Sequence, residues 1–108
     1  MDLRETAGSA AGREGVAWTL HESDDLNANL VRFEAGGGVG EHVNAEVDVL
    51  ILGVSGSGLV NVDGEEHSLS SGVMVFVPRG ARRSTRATSE GLAYLSVHRL
   101  RGPLRIGG

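Results

Sequence analysis

The sequence contains neither cysteine nor lysine, and it is poor in aromatic residues and proline. Without cysteine the chain has no disulfides, no thiolate metal sites and no thiol nucleophile. Without lysine it has no Schiff-base chemistry and no P-loop lysine. Aromatic residues make up 4% and the net charge is −4. We therefore expect no nucleic-acid partner, since such partners need stacking platforms and a basic surface.

Long hydrophobic runs are also missing. No run approaches the ~20 apolar residues of a membrane-spanning helix. Residues 1–15 lack the apolar centre of a signal peptide. These patterns predict no membrane association and a cytoplasmic location. The 108 residues correspond to one domain. We expect residues 1–15 to be a flexible leader or a weak first element, and residues 16–108 to form the domain.

Glycine, by contrast, is abundant, with 17 residues that follow no collagen period. The glycines and other turn residues separate short extended runs, at 16–20, 30–35, 47–54, 59–62, 65–69, 73–77 and 92–100. Asp63-Gly64 predicts a two-residue hairpin turn, because both central residues of such a turn need a positive φ. No stretch shows a convincing helical period. The pattern predicts an all-β barrel or sandwich, with Trp18 and Phe76 in its core.

Charge is divided unevenly along the chain. Residues 1–66 carry a balance of −10 and residues 67–108 a balance of +6. Two complementary sheets of one fold would explain this division, and an anion-facing C-terminal surface is the alternative. Four arginines follow Pro78, namely Arg79, Arg82, Arg83 and Arg86. They form either a solvated turn or a group that binds carboxylates or phosphates through the guanidinium fork.

Polar side chains recur at every second residue from His42 to Asp48, with Asn44 and Glu46 between them. On an extended strand all four would share one face, spaced ~6.6 Å apart. Two neighbours at that spacing can hold one ion, but four need a bend near Asn44 to Glu46. A divalent metal site, a solvent-facing strand and a metal-free polar pocket are all compatible with these residue types.

These residues resemble the motifs of the cupin family. Gly40-Glu41-His42-Val43-Asn44, with Asp48 and Gly56 after it, is similar to the first cupin motif. The segment from Gly72 through Pro78-Arg79-Gly80 to Arg83 is similar to the second. The resemblance extends from about residue 30 to 97. It implies a double-stranded β-helix, a jelly-roll cupin barrel, and a homodimer to which residues 16–20 contribute.

The resemblance also implies where metal ligands would lie. Cupins that bind a metal use two histidines and a glutamate of the first motif and a histidine of the second. His42 stands at the first of these positions, while Asn44, Asp48 and Arg83 stand at the others. Arginine stays protonated and only donates hydrogen bonds, so it cannot ligate a divalent ion. We therefore expect no tightly bound metal and no other cofactor.

The predicted pocket residues are His42, Asn44, Asp48, Arg83 and His98. Arg83 would either pair with Asp48 or anchor an anionic ligand. His98 shares an alternating face with Tyr94 and Ser96, where it is either a structural residue or a second nitrogen beside His42.

Three functional hypotheses follow from these residues. The first is a single-domain cupin that binds a small polar or anionic molecule without a tightly bound metal. The second is a metal-dependent enzyme of the isomerase or oxygenase type, in which His42, Glu46 and Asp48 hold a divalent transition metal. The third is a structural or regulatory dimer whose pocket has closed.

Overall fold

A computed structural model describes residues 1–100, which form β-structure with one short helix. The elements are α1 (Leu3–Ser9), β1 (Gly15–Thr19), β2 (Leu26–Phe33), β3 (Gly38–Val43), β4 (Val49–Val62), β5 (Glu65–Ser70), β6 (Met74–Val77) and β7 (Arg82–Arg99). The prediction of an all-β fold is confirmed. No helix among these residues is long and apolar enough to cross a membrane.

The two long strands, β4 and β7, run through both halves of the molecule. The first half of β4 pairs with β6 on one side and with the second half of β7 on the other. This half of β7 also pairs with β2, and β2 pairs with β1. The second half of β4 pairs with β5 and with the first half of β7, which also pairs with β3. We call the first group the front layer and the second the back layer.

Register shifts in β4 mark where it passes from one layer to the other. They fall between Gly53 and Ser55 and between Gly56 and Gly58, opposite residues near Gly91 of β7. Gly56 has a φ of 70° and Gly91 a φ of 74°, a backbone region that side chains with a Cβ rarely adopt. The glycines noted in the sequence therefore allow both long strands to change layer.

The main core lies between the two layers. Its buried side chains include Val31 and Phe33 of β2, Val49 and Ile51 of β4, and Tyr94 of β7. Alternate residues of a strand point to opposite faces, so these inner positions alternate with residues on the outer surface. The Asp63-Gly64 turn joins β4 and β5 with φ of 50° and 84°, as the sequence predicts.

Residues 1–15, expected to be a leader or a weak first element, contain the short helix α1. Asp2 caps it by accepting a hydrogen bond from the backbone N–H of Glu5 at 3.1 Å. Ala7 is buried in an outer cluster with Leu30, Val54 and Ala93 of the front layer. Small alanine residues on both sides let the helix lie close to the sheet. Seven residues are too few to show a helical period in the sequence.

Other sequence boundaries differ from the structure. The sequence places turn residues between the extended runs 30–35 and 47–54, but residues 38–43 of this stretch form β3. The run 59–62 and most of the run 47–54 belong to one continuous strand, β4. Phe76, expected in the core, is 53% exposed on the outer face of the front layer. The run around Phe76 is apolar on both faces, so the sequence does not show which face is covered.

Candidate functional site

A cavity of about 270 Å³ lies between the two layers. Its lining residues are Gly15, Val16, Asn29, Val31, Phe33, Val39, His42, Ile51, Arg83, Thr85, Tyr94, Ser96 and His98. A larger depression of about 450 Å³ lies mainly on the outside of the back layer, around Leu59, Asn61 and Arg86. We regard the inner cavity as the candidate site, because inward-facing side chains of both layers converge there.

His42 and Arg83 form the polar centre of this cavity. They are register partners on the adjacent strands β3 and β7. The Nε–H of Arg83 donates a hydrogen bond to Nε2 of His42 at 3.0 Å. The other ring nitrogen, Nδ1, lies 2.9 Å from the carbonyl oxygen of Gly40. A carbonyl oxygen only accepts, so Nδ1 carries the proton and Nε2 presents its lone pair to Arg83.

The outward-facing arginine beside this pair has a different environment. Arg82 points to the opposite side of β7, where its guanidinium lies 3.2 Å from the carboxylate of Glu41. Both side chains are more than half exposed, so this ion pair contributes little to stability. The four arginines that follow Pro78 therefore do not form one group, and of these four only Arg83 lines the inner cavity.

Thr85 and Tyr94 lie next to Arg83 along the cavity wall. Burial raises the pKa of the Tyr94 phenol, while the charge of Arg83 and a hydrogen bond with Thr85 oppose this rise. The phenol is therefore neutral at physiological pH. The ring of Tyr94 also packs against that of Phe33, with centroids 6.4 Å apart, so its position is fixed by the core.

His98 is 8% exposed and also lines the cavity. Its Nδ1 lies 2.7 Å from the carbonyl oxygen of Arg99, which places the proton on this nitrogen. Tyr94, Ser96 and His98 share the inner face of β7, as their alternation in the sequence indicates. The structure thus brings three of the five predicted pocket residues together, namely His42, Arg83 and His98.

Asn44 and Asp48, the other two predicted pocket residues, lie outside this cavity. Strand β3 ends at Val43, so the stretch from His42 to Asp48 is not extended. Asn44 Oδ1 accepts hydrogen bonds from the backbone N–H groups of Glu46 and Val47 and stabilises the turn. Asp48 Oδ1 accepts from the backbone N–H of Arg79 at 2.8 Å. The suggested pairing of Asp48 with Arg83 is therefore replaced by a contact with Arg79.

The residues at the implied ligand positions do not fit a divalent metal ion. The Nε2 lone pair of His42 accepts a hydrogen bond from a permanent cation, Arg83. Glu46 is exposed in the turn, and Asp48 holds a backbone group. Among residues 1–100, no three His, Asp or Glu side chains are grouped closely enough to hold a metal ion.

Several cavity residues were not identified from the sequence. Asn29, Thr85 and the apolar wall of Val31, Phe33 and Ile51 belong to strands whose inner faces look like ordinary core. The alternation on β7 was the one available signal, because it grouped Tyr94 and Ser96 with His98. Which strands face each other across the cavity depends on pairings distant in sequence.

Solved structures share this fold. KdgF from Halomonas sp. has a TM-score of 0.72 and 22% identity, and the match covers 79% of this chain and 77% of that chain. TT1209 from Thermus thermophilus has a TM-score of 0.76 and 23% identity, with 94% and 97% covered. A cupin protein from Bacteroides fragilis has a TM-score of 0.71 and 21% identity, with 88% and 84% covered.

A curated relative is also similar in sequence. It is the dimethylsulfoniopropionate lyase DddW of Ruegeria pomeroyi, 29% identical over 89 residues. The match covers 82% of this chain but 58% of the relative, so the chain spans little more than half of that protein.

The family follows from the agreement between motifs, topology and comparisons. The first glycine-containing motif runs from β3 into β4, and the second runs from the turn before β6 to the start of β7. Together they place His42 beside Arg83. The family model of the cupin domain matches residues 29–98, which include all or most of each strand from β2 to β7. This chain belongs to the cupin domain family.

Proposed function

We propose that this cupin domain binds a small polar or anionic molecule in the cavity between its layers, without a tightly bound metal ion. The hydrogen bond from Arg83 to His42 is the observation that carries this proposal. It puts a guanidinium group at a position where the family's metal-binding members have a histidine. A guanidinium attracts anionic and polar groups and repels a divalent cation.

The similarity to a lyase supports an enzymatic alternative. In that alternative, His42 and Asp48 would hold a divalent transition metal. It requires Asp48 to release the backbone N–H of Arg79, and Arg83 to withdraw from Nε2 of His42. Both changes break hydrogen bonds that involve a charged group, each worth about 1.5–3 kcal/mol. The metal-free proposal requires neither change.

Elemental analysis of protein purified without chelator tests the metal-free part of the proposal. We expect transition-metal content far below one equivalent, because the ion would replace the Arg83 contact with His42. Stoichiometric metal that is lost on replacement of His42 by alanine would contradict the proposal and support the enzyme.

Ligand binding is tested with benzoate, inorganic phosphate and glycerol as probes. Tyr94 is the sole tyrosine and lines the cavity, so its ring NMR signals report on the site. Trp18 is the sole tryptophan, and it packs in the outer cluster, so it serves as an internal reference. We expect at least one probe to shift Tyr94 and leave Trp18 unchanged. If none does, the pocket is closed to small molecules.

The variant Arg83→Gln is expected to weaken binding of anionic probes by about 10- to 150-fold. This range corresponds to the loss of one charge-assisted hydrogen bond of about 1.5–3 kcal/mol. Arg82→Gln is the matched control, because Arg82 lies next in the chain but points to solvent. Equal affinities of the two variants would refute a role for Arg83.

We further propose that the protein is a homodimer formed through the front layer. Five apolar side chains on its outer surface are not covered by α1, namely Leu26, Leu50, Met74, Phe76 and Val97. Leu50 stands opposite both Phe76 and Val97 in the sheet register, so the patch is continuous. A continuous exposed apolar surface is typical of an interface. Strand β1, expected to contribute, lies in the same layer.

The variant Phe76→Glu tests this dimer. Phe76 is 53% exposed, so a two-fold interface buries about half of this side chain in each protomer, at about 0.8–1.5 kcal/mol each time, and the glutamate would bury an unpaired charge there as well. We therefore expect the dissociation constant to rise on the order of 100-fold or more, so that light scattering gives the mass of a monomer. Val43→Glu is the control, because Val43 is 51% exposed but lies in the back layer. A monomeric wild-type protein would contradict the proposal.

A further inference from the structure

His98 is a buried hydrogen-bond acceptor in the wall of the cavity. Its side chain is on the inner face of β7, and the residue is only 8% exposed. The proton on Nδ1 is bound by the carbonyl oxygen of Arg99 at 2.7 Å, so Nε2 carries a lone pair. Nε2 is at the end of the ring that is far from the main chain. Within residues 1–100 this nitrogen has no hydrogen-bond partner.

A buried acceptor without a partner is unfavourable, because on burial it has lost its hydrogen bonds to water. The large majority of buried polar atoms in folded proteins are bonded to other protein groups or to an ordered molecule. The described chain offers no such group to Nε2 of His98, so its partner has to come from the space of the cavity. That partner has to donate a hydrogen bond, since a lone pair only accepts.

The other polar side chains of the described lining do not require a donor. Its three hydroxyl groups rotate, so each of them either donates or accepts. Both ring nitrogens of His42 and both ends of the side-chain amide of Asn29 are bonded within the protein. The guanidinium of Arg83 only donates. His98 is therefore the side chain of this lining that distinguishes a donor from an acceptor.

We infer that the cavity selects a small molecule with an N–H or O–H group, which donates a hydrogen bond to Nε2 of His98. This inference rests on the proposed binding function and specifies its ligand class. The burial of His98 and the position of its ring proton carry it. The cavity of about 270 Å³ has the volume of roughly nine water molecules in the liquid, so the ligand has about as many non-hydrogen atoms.

Two pairs of ring compounds of this size test the requirement for a donor. Pyrrole-2-carboxylate and furan-2-carboxylate are anionic, and indole and benzofuran are neutral. In each pair the first compound has a ring N–H where the second has a ring oxygen, and the shapes are otherwise alike. We expect the N–H compound to bind the wild-type protein about 5- to 150-fold tighter, which is the range for leaving a buried acceptor unpaired. The NMR signals of Tyr94, in protein isotopically labelled at tyrosine, report binding.

The variant His98→Leu removes the acceptor and keeps a side chain of similar size. It should bind the two compounds of each pair equally, mainly because the N–H compound loses affinity. His21→Leu is the matched control, since His21 is exposed and does not line the cavity, and this variant should keep the preference. The two pairs are compared on the wild-type protein first, so the inference is testable even if His98→Leu does not fold.

Nitrogen NMR of the histidine rings at mildly alkaline pH tests the position of the proton directly. We expect the ring of His98 to carry its proton on Nδ1 and to have a bare Nε2, because the carbonyl oxygen of Arg99 only accepts. A proton on Nε2 would turn this nitrogen into a donor and would overturn the inference.

The outcomes separate the inference from the proposed function. Equal binding within a pair that binds, or tighter binding of the compound with the ring oxygen, overturns the inference but leaves a small-molecule site. Binding of benzoate, phosphate or glycerol, with no binding of either pair, overturns it in the same way. If none of these compounds shifts the signals of Tyr94, both the inference and the proposed function fail.

Discussion

Replacing Arg83 with histidine is expected to raise the affinity of this protein for Zn²⁺ at least about 100-fold. Arg83 Nε lies 3.0 Å from Nε2 of His42, so an ion on this imidazole would lie within a few ångströms of a positive charge. A unit charge about 4 Å from a divalent ion costs on the order of 8 kcal/mol at an effective dielectric constant of 20. The expected 100-fold rise in Zn²⁺ affinity requires only a fraction of that energy.

The substitution also supplies a ligand. It frees the Nε2 lone pair of His42 and puts a second imidazole on the adjacent strand, because residues 42 and 83 are register partners. Side chains of such a cross-strand pair start about 4.5–5.5 Å apart, which suits two ligands of one ion. Imidazole nitrogen is a preferred ligand of Zn²⁺.

Isothermal titration calorimetry with Zn²⁺ measures this gain, and two controls define its origin. Arg82→His adds the same side chain one residue away on the solvent side, so the affinity of this variant for Zn²⁺ should equal that of the wild type. Adding His42→Ala to Arg83→His should abolish the gain. A wild type that already binds one equivalent of Zn²⁺ at this site would show that Arg83 does not exclude metal.

Replacing Gly53 with alanine is expected to lower the free energy of unfolding by about 3 kcal/mol or more. A Cβ at this position would collide with the carbonyl oxygen of Ser70 and would lie 2.5 Å from its carbonyl carbon. The backbone cannot move aside easily, because Gly53 donates to Val73 and accepts from Gly72 at 2.8 and 3.0 Å. To avoid the collision, β4 would have to lose these hydrogen bonds or move the point at which it passes from one layer to the other.

Chemical denaturation followed by Trp18 fluorescence measures this loss, and the melting temperature should fall by roughly 12 °C or more. Gly40→Ala is the matched control, since a Cβ on Gly40 meets no atom within 4 Å. We expect Gly40→Ala to change stability by less than about 0.5 kcal/mol. Equal stability of the two variants would mean that the close approach to Ser70 imposes no constraint.

The all-β fold could be predicted from the sequence, whereas the residues of the site could be predicted only in part. Hydrophobic alternation and the Asp63-Gly64 turn are local signals, and the structure follows both. The polar stretch from His42 to Asp48 gave a misleading signal, because its alternation fits a straight strand. Asn44 instead binds the backbone N–H groups of Glu46 and Val47, and this local competition ends β3.

The exposure of the outer surface of the front layer also could not be predicted from the sequence. Leu50 and Phe76 belong to runs that are apolar on both faces, and such runs indicate burial on both sides. In the structure the helix α1 covers a neighbouring part of this layer and leaves Leu50 and Phe76 exposed. Because α1 has only seven residues, it leaves no helical period in the sequence. The sequence therefore did not show which part of the front layer a helix covers.

The sequence by itself determined the chemistry available to this protein. The absence of cysteine excludes thiolate chemistry, and the absence of lysine excludes Schiff-base chemistry. Arginine in place of a histidine in the second motif puts a permanent cation at residue 83. The tertiary structure alone decided which groups meet that cation. Strand pairing brings Arg83 to His42, 41 residues away, and the turn at Asn44 carries Asp48 to Arg79 instead. Residue types fix what each side chain can donate or accept, whereas contacts between distant residues depend on how the long strands β4 and β7 bend and pair.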